Sequence, residues 1–112
     1  MKAVNRKNNF ILADDVETAA TPGTRMKGLL GRRELQAGRA LLITKCNGIH
    51  MFFMRFAIDA VFLTADGEVV YILKNFKPWR ISKIVFRAAA VLELPAGSLG
   101  NSVKEGDFID FR

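Results

Sequence analysis

An Asp-Gly turn between two β-prone runs constrains the fold of this chain more than any other feature. The runs are residues 57–64 and 68–75, and Asp66-Gly67 lies in the short connection between them. Asp-Gly between β-branched and aromatic residues is a strong signal for an antiparallel hairpin, because tight hairpin turns need residues that tolerate a positive φ. The chain is therefore predicted to contain a β-hairpin over residues 57–75.

The loop length decides which side chains face each other across this hairpin. A two-residue loop places Phe62 opposite Tyr71. It also places Asp59 opposite Lys74, where we expect an ion pair across the strands. A three-residue loop with a bulge shifts the register by one and separates that pair, and the sequence leaves both registers open.

Other short β-prone runs, bounded by Gly, Pro, Asn or Asp, occur along the chain. Residues 16–20 are a candidate hairpin partner of residues 10–13. Six or seven short strands predict a mostly β fold, β-barrel-like or α+β, built from antiparallel hairpins with one or two short helices. The candidate strands outside the hairpin are residues 10–13, 16–20, 40–44, 88–94 and 108–111.

One segment has the apolar spacing of a helix. Thr21-Pro22 suits an N-cap followed by the first helical position. Met26, Leu29 and Leu30 follow at i, i+3 and i+4 spacing, which places them on one helical face. We expect a short helix here, and a short turn or helical piece over residues 98–103.

Length and composition favour one soluble domain. Of the 112 residues, 10–112 are expected to form a single globular domain, and the polar, basic residues 1–9 a flexible N-terminal segment. The single cysteine excludes an internal disulfide. Because neither a signal peptide nor an apolar run of about 20 residues is recognised, we expect a cytoplasmic protein with no membrane span. The oligomeric state stays open.

The net charge of +6 is concentrated in particular segments. Residues 74–87 carry five bases and no acid, a pattern that attracts phosphates or anionic lipid headgroups. Phe76, Trp79 and Phe86 lie among these bases, as rings do on surfaces that stack single-stranded nucleic acid. No RNA- or DNA-binding motif accompanies them, so nucleic acid is a disfavoured partner, and a solvated basic face is the simpler interpretation.

Residues 46–63 concentrate the polar side chains that chemistry uses. They include the only cysteine and the only histidine, Cys46 and His50, four residues apart. Arg55 and Asp59 lie in the same, otherwise apolar segment, where a charge needs a partner or a path to water. We expect a non-catalytic binding or accessory module whose polar pocket binds a small anionic or polar ligand, or a protein segment. Its predicted ligand-binding residues are His50, Arg55, Asp59 and Glu93.

Glu93 has two interpretations. It lies between Leu92 and Leu94 in a predicted strand, so its side chain is expected on the face opposite to both. There it is either exposed to solvent or paired with Asp59. The sequence gives no distance between the two carboxylates, so an acid–base role cannot be assigned.

Catalysis and metal binding are the alternatives at Cys46 and His50. A thiolate activated by His50 or Arg55 would make Cys46 a nucleophile, so these two are the candidate catalytic residues of a cysteine–histidine enzyme. The simpler interpretation is a buried thiol and a hydrogen-bonded imidazole. A structural zinc needs four nitrogen or sulfur ligands and the chain has two such side chains, so no metal and no cofactor are predicted. Only an open or dimer-shared metal site would fit.

Six stretches, in order along the chain, form a pattern that resembles the family called domain of unknown function 192. Lys45, Met51 and Ala57 stand where that family usually has proline, threonine and proline. The resemblance implies a compact, mostly β single domain with no assigned activity, and many relatives carry export signals. The matching stretches are residues 24–32, 46–63, 66–67, 78–80, 91–97 and 106–107.

Overall fold

The computed structural model of the chain describes residues 1–19 and 35–112, and these residues form strands and no helix. The mostly β prediction is confirmed. The helix expected after Thr21 lies outside the described residues, and residues 98–103 form turns and bends. The strands are β1 (Ala3–Asn5), β2 (Ile11–Ala13), β3 (Asp15–Ala19), β4 (Arg39–Thr44), β5 (Ile58–Leu63), β6 (Val69–Phe76), β7 (Ala90–Pro95) and β8 (Ile109–Phe111).

The larger sheet has the strand order β3-β4-β7-β5-β6, and all six residues of β5 near its centre are buried. Alternate residues of a strand point to opposite faces. Val61 and Leu63 belong to a hydrophobic cluster shared with the smaller sheet, whereas Ala60 and Phe62 belong to a second cluster on the other face. A strand that is buried on both faces has consecutive apolar residues in its sequence, as residues 60–63 do.

The β5–β6 hairpin has the register of the two-residue loop over most of its length. Phe62 lies opposite Tyr71, the pairing that this loop length implies. The register then shifts between Ile58 and Ala60, so that Lys74 and Asn75 together oppose Asp59. The predicted ion pair between Asp59 and Lys74 is wrong, because the Lys74 ammonium donates to the carbonyl of Gly100 while the Asp59 carboxylate is buried.

A smaller sheet with the order β2-β1-β8 packs on the larger one. Its central strand, β1, comes from the segment 1–9 that was expected to be flexible, and Ala3, Val4 and Asn5 are buried. β1 is the hairpin partner of β2. The predicted pairing of residues 10–13 with 16–20 is wrong, since β3 instead pairs in parallel with β4. In the part of the chain that is described, no helix is long and apolar enough to cross a membrane.

A buried amide and a buried carboxylate join the smaller sheet to the turn before β8. Asn5 Nδ2 donates hydrogen bonds to Asp107 Oδ2 and to the Ser102 carbonyl, each at 2.9 Å. The Lys104 backbone N–H donates to the same Asp107 oxygen at 2.9 Å. Burial raises the pKa of Asp107, but the hydrogen bonds from Lys104 N–H and from Asn5 outweigh burial, and the pKa is lowered. The ionised carboxylate therefore stabilises the fold.

We predict that Asp107→Ala lowers the free energy of unfolding at neutral pH by about 1–3 kcal/mol, because Asn5 and Lys104 lose a buried acceptor. Since the folded-state pKa lies below the unfolded value of about 4, this stabilisation is complete above that pH and is lost as the pH falls through the folded value. Urea unfolding at neutral and acid pH should show that the difference in free energy of unfolding between the wild type and Asp107→Ala becomes smaller in acid. Glu105→Ala, an exposed acid of the same turn, is the control. Equal acid dependence in the wild type and Asp107→Ala would contradict this account.

Candidate functional site

Two loop segments, residues 47–53 and 79–86, lie side by side and are called the loop pair below. Backbone hydrogen bonds join Met51 N to Arg80 O at 2.7 Å and Trp79 N to Met51 O at 2.8 Å. Further along, Ser82 N donates to Ile49 O at 2.9 Å, and an isolated bridge pairs His50 with Ile81. The two segments therefore hold each other in place although neither forms a long strand.

The two segments lie close together at Gly48. A Cβ atom built on Gly48 would lie 2.8 Å from Cδ1 of Ile84 and 3.6 Å from the Lys83 carbonyl oxygen. The thiol of Cys46 donates to the Gly48 carbonyl at 3.1 Å. The end of the Ile84 side chain therefore lies against the Asn47-Gly48 turn that the sequence marks.

A row of rings crosses the loop pair. His50 stacks on Phe52 with the ring centroids 5.0 Å apart, and Phe52 lies 6.0 Å from Trp79. The ring centroid of Phe53 also lies near Trp79, at 5.0 Å. Phe53 and Trp79 have positive φ angles of 65° and 67°, which bulky residues seldom adopt. Such backbone strain persists only where surrounding contacts hold it, and it clusters at binding and catalytic sites.

The loop pair also exposes large apolar side chains that a monomeric core would normally bury. Scattered exposed apolar residues are ordinary, but a contiguous group marks a binding site more often than a bare surface. The loop pair contributes five of them, with these exposed fractions: Phe53 63%, Trp79 60%, Ile81 66%, Ile84 51% and Phe86 89%.

Bases predominate over acids around these side chains. Residues 45–58 and 69–92 contain seven Lys or Arg residues and no Asp or Glu. Arg87 reaches Glu68 at 3.6 Å, and the Lys83 ammonium lies 4.3 Å from the centre of the Tyr71 ring. We call the following set the apolar–basic surface: Phe53, Trp79, Ile81, Ile84 and Phe86, with the exposed bases Lys77, Arg80, Lys83 and Arg87.

His50 and Arg55, two of the predicted ligand-binding residues, lie at or next to the loop pair. His50 is half-buried, and its Nδ1 accepts a hydrogen bond from Phe52 N at 3.3 Å. An accepting Nδ1 places the proton of a neutral imidazole on Nε2. Arg55 follows Phe53 by two residues and is exposed, so it does not need the buried partner considered from the sequence.

Asp59 accepts hydrogen bonds from the backbone of two separate elements. Its carboxylate is buried and accepts hydrogen bonds from Asn75 N at 2.9 Å, Gly97 N at 3.0 Å and Leu99 N at 3.3 Å. Asn75 has a φ of 51° at the bulge in β6. Asp59 therefore joins the end of the β5–β6 hairpin to the turn after β7.

The structure does not bring Asp59 and Glu93 together. Glu93 lies opposite Leu41 and Ala60 in the sheet, on the face of the second hydrophobic cluster, whereas Asp59 faces the first cluster with Leu99. The prediction of a carboxylate pair is therefore wrong. The prediction of an exposed Glu93 is also wrong, because the side chain is fully buried.

Cys46 and His50 are both half-buried, and the Cys46 thiol has a carbonyl acceptor. A carbonyl oxygen accepts a hydrogen bond from the protonated thiol, so this contact does not activate the sulfur as a nucleophile. Within residues 1–19 and 35–112, no group of three or more His, Cys, Asp or Glu side chains is placed to hold a metal ion.

Sequence reasoning missed the exposure of Ile81, Ile84 and Phe86. Large apolar residues are expected to point into the core, and here they do not. The available signal was that each of them is adjacent to a base, because residues 80–87 carry Arg80, Lys83 and Arg87.

The fold and the site together define a small, mostly β protein in which the loop pair exposes several large apolar side chains. The family model of DUF192, described as "Uncharacterized ACR", matches residues 3–111. The chain belongs to this uncharacterised family, and the resemblance seen in its motifs is confirmed.

Two curated relatives are named UPF0127 proteins. The one from Thermococcus sibiricus is 32% identical over 113 residues, covering 96% of this chain and 73% of the relative. The one from Pyrococcus horikoshii is 35% identical over 104 residues, covering 90% of this chain and 89% of the relative. Their names assign no activity.

Two solved structures share the fold. A protein of unknown function from Novosphingobium aromaticivorans matches with a TM-score of 0.81 at 21% identity, over 98% of this chain and 82% of the other. A Sinorhizobium meliloti protein matches with a TM-score of 0.73 at 25% identity, over 97% of this chain and 89% of the other.

We predict that Asp59→Ala lowers the free energy of unfolding by at least about 2 kcal/mol, because Asn75, Gly97 and Leu99 lose their common acceptor. Lys74→Met should change it by less than about 0.5 kcal/mol, since Lys74 is exposed and does not pair with Asp59. Urea unfolding at neutral pH measures both variants. Equal losses in the two variants would restore the ion-pair interpretation.

Proposed function

We propose that this protein is a non-catalytic binding module that binds an anionic ligand at the apolar–basic surface. One observation carries the proposal: five large apolar side chains are more than half exposed within segments that contain seven bases and no acid. Apolar contact with such a surface supplies affinity, and its bases select for negative charge. His50, which stacks on Phe52, and Arg55 are candidate ligand contacts near this surface.

Binding is favoured over catalysis by the geometry at Cys46. An enzyme that used Cys46 and His50 would need an activated thiol, and this thiol donates to the Gly48 carbonyl. Asp59 is buried, and its carboxylate already joins two elements through their backbone N–H groups. Glu93 is fully buried, so a ligand could contact it only if the residues packed over it moved apart. A cytoplasmic location is part of the proposal and rests on the sequence alone.

Nucleic acid is the ligand to distinguish from other anions. The related Sinorhizobium meliloti protein is described as a candidate transcription regulator, a description that belongs to that protein. Rings and bases together are also what single-stranded nucleic acid binds. The test of the proposal therefore includes nucleic acid beside other anionic probes.

We predict that an anionic probe changes the fluorescence of Trp79, the only tryptophan, and that added salt weakens this binding. The probes are an oligothymidylate, phosphatidylglycerol vesicles and polyglutamate, each titrated into the full chain at low salt. Arg80→Glu should weaken binding by about tenfold, because a base of the surface becomes an acid. Lys2→Glu, an exposed charge reversal on the smaller-sheet side, should leave binding unchanged. No response to any of the three probes would overturn the proposal.

Reactivity of Cys46 tests the enzyme alternative. We expect its thiol to react with a thiol-labelling reagent no faster than free cysteine at or below neutral pH, because it is half-buried and hydrogen-bonded to a carbonyl. A faster reaction that His50→Ala abolishes would favour the enzyme.

A further inference from the structure

We infer that the apolar–basic surface docks on the face of a membrane that contains anionic phospholipids, with its apolar side chains entering the boundary between headgroups and acyl chains. This inference rests on the proposed function and names its ligand. Interfacial binding of this kind needs apolar side chains that reach past the polar surface and bases that contact lipid phosphates. Both kinds of side chain are present on the loop pair.

The mixture of apolar side chains favours lipid over nucleic acid. Trp79, Phe53 and Phe86 have rings on which bases stack. Ile81 and Ile84 have none, yet both are more than half exposed. Acyl chains accommodate aliphatic and aromatic side chains alike, and tryptophan is enriched where the headgroups meet the hydrocarbon. A lipid surface therefore accounts for all five exposed side chains.

The charge of the surface argues against two other occupants. A second copy of this chain would bring Lys77, Arg80 and the neighbouring bases against the same bases, and that repulsion opposes a symmetric dimer. A neutral apolar partner would leave the bases without counter-charges. The leaflet of an anionic membrane supplies a dense layer of phosphates beside hydrocarbon, which matches both parts of the surface.

The backbone holds the inserting side chains before any lipid is bound. Phe53 and Trp79 adopt positive φ angles, and hydrogen bonds of Met51 with Trp79 and Arg80 fix the loop pair. Because these side chains are already held in place, less conformational entropy is lost when the protein binds. The protein is thus expected to dock with its larger sheet unchanged and its loop pair at the interface.

Vesicle flotation with the full chain tests the inference. Vesicles of phosphatidylcholine alone should bind weakly, and vesicles that include phosphatidylglycerol should bind more strongly, with salt reducing the bound fraction. Trp79 emission should shift to shorter wavelength, and acrylamide should quench it less when the anionic vesicles are present. Quenching that stays at its free value during binding would overturn the proposed docking face.

Matched variants locate the contact. Phe86→Ser should lower affinity for the anionic vesicles by about tenfold, because an apolar side chain no longer leaves water. Ile81→Ser is the second apolar variant, and Ile11→Ser, at an exposed position of β2 in the smaller sheet, is the control that should bind as the wild type does. Both test side chains are more exposed than buried, so unfolding midpoints are expected to stay near the wild-type value.

The outcomes separate this inference from the proposed function. If the oligothymidylate or polyglutamate binds and the anionic vesicles do not, membrane docking is wrong and anionic binding at the surface stands. If vesicles bind equally well with Phe86→Ser, Ile81→Ser and Ile11→Ser, the apolar side chains do not insert and the docking model is wrong. If no probe binds at low salt, both proposals fail.

Discussion

Burial of β5 on both faces is the constraint on which the rest of the structure depends. Its six residues lie between β7 and β6, with one hydrophobic cluster on each side of the sheet. A strand covered on two faces needs a second layer on each, so the N-terminal strand, the terminal strand and the loop pair all have a place to pack. β1 and β8 cover one face, and Ile49, Met51 and Met54 contribute to the cover of the other. The loop pair thus packs some of its side chains on the sheet and exposes others to solvent.

Polar groups buried by this arrangement are matched to partners. In the part of the chain that is described, no buried side-chain nitrogen or oxygen lacks a hydrogen-bond partner. Asp59 serves three backbone N–H groups, and Asn5 with Asp107 joins the smaller sheet to the turn before β8. Buried charges of this kind fix connections between elements, because an unmatched donor or acceptor in the core costs more than the bond itself contributes. Asp59, a predicted ligand-binding residue, therefore stabilises the fold.

The sequence predicted the β5–β6 hairpin, because turn chemistry and alternation are local signals, and one of the two registers it left open places Phe62 opposite Tyr71. It could not predict the bulge at Asn75, since a positive φ at asparagine has no unique sequence pattern, and so it assigned Asp59 the wrong partner. It also missed β1, a three-residue strand among polar neighbours that is defined by its pairing with distant residues. Glu93 shows the same limit: alternation predicts a face, but only the fold decides that this face is covered.

Residues 74–87 were recognisably basic from the sequence, whereas the outward direction of Ile81, Ile84 and Phe86 became evident only from the fold. The central claim is that these exposed side chains contact an anionic ligand. Amide hydrogen exchange of the full chain, with and without phosphatidylglycerol vesicles, tests it most directly. The account predicts slower exchange confined to residues 47–53 and 77–87 when vesicles are present. Slower exchange elsewhere in the chain, with the loop pair unchanged, would contradict it.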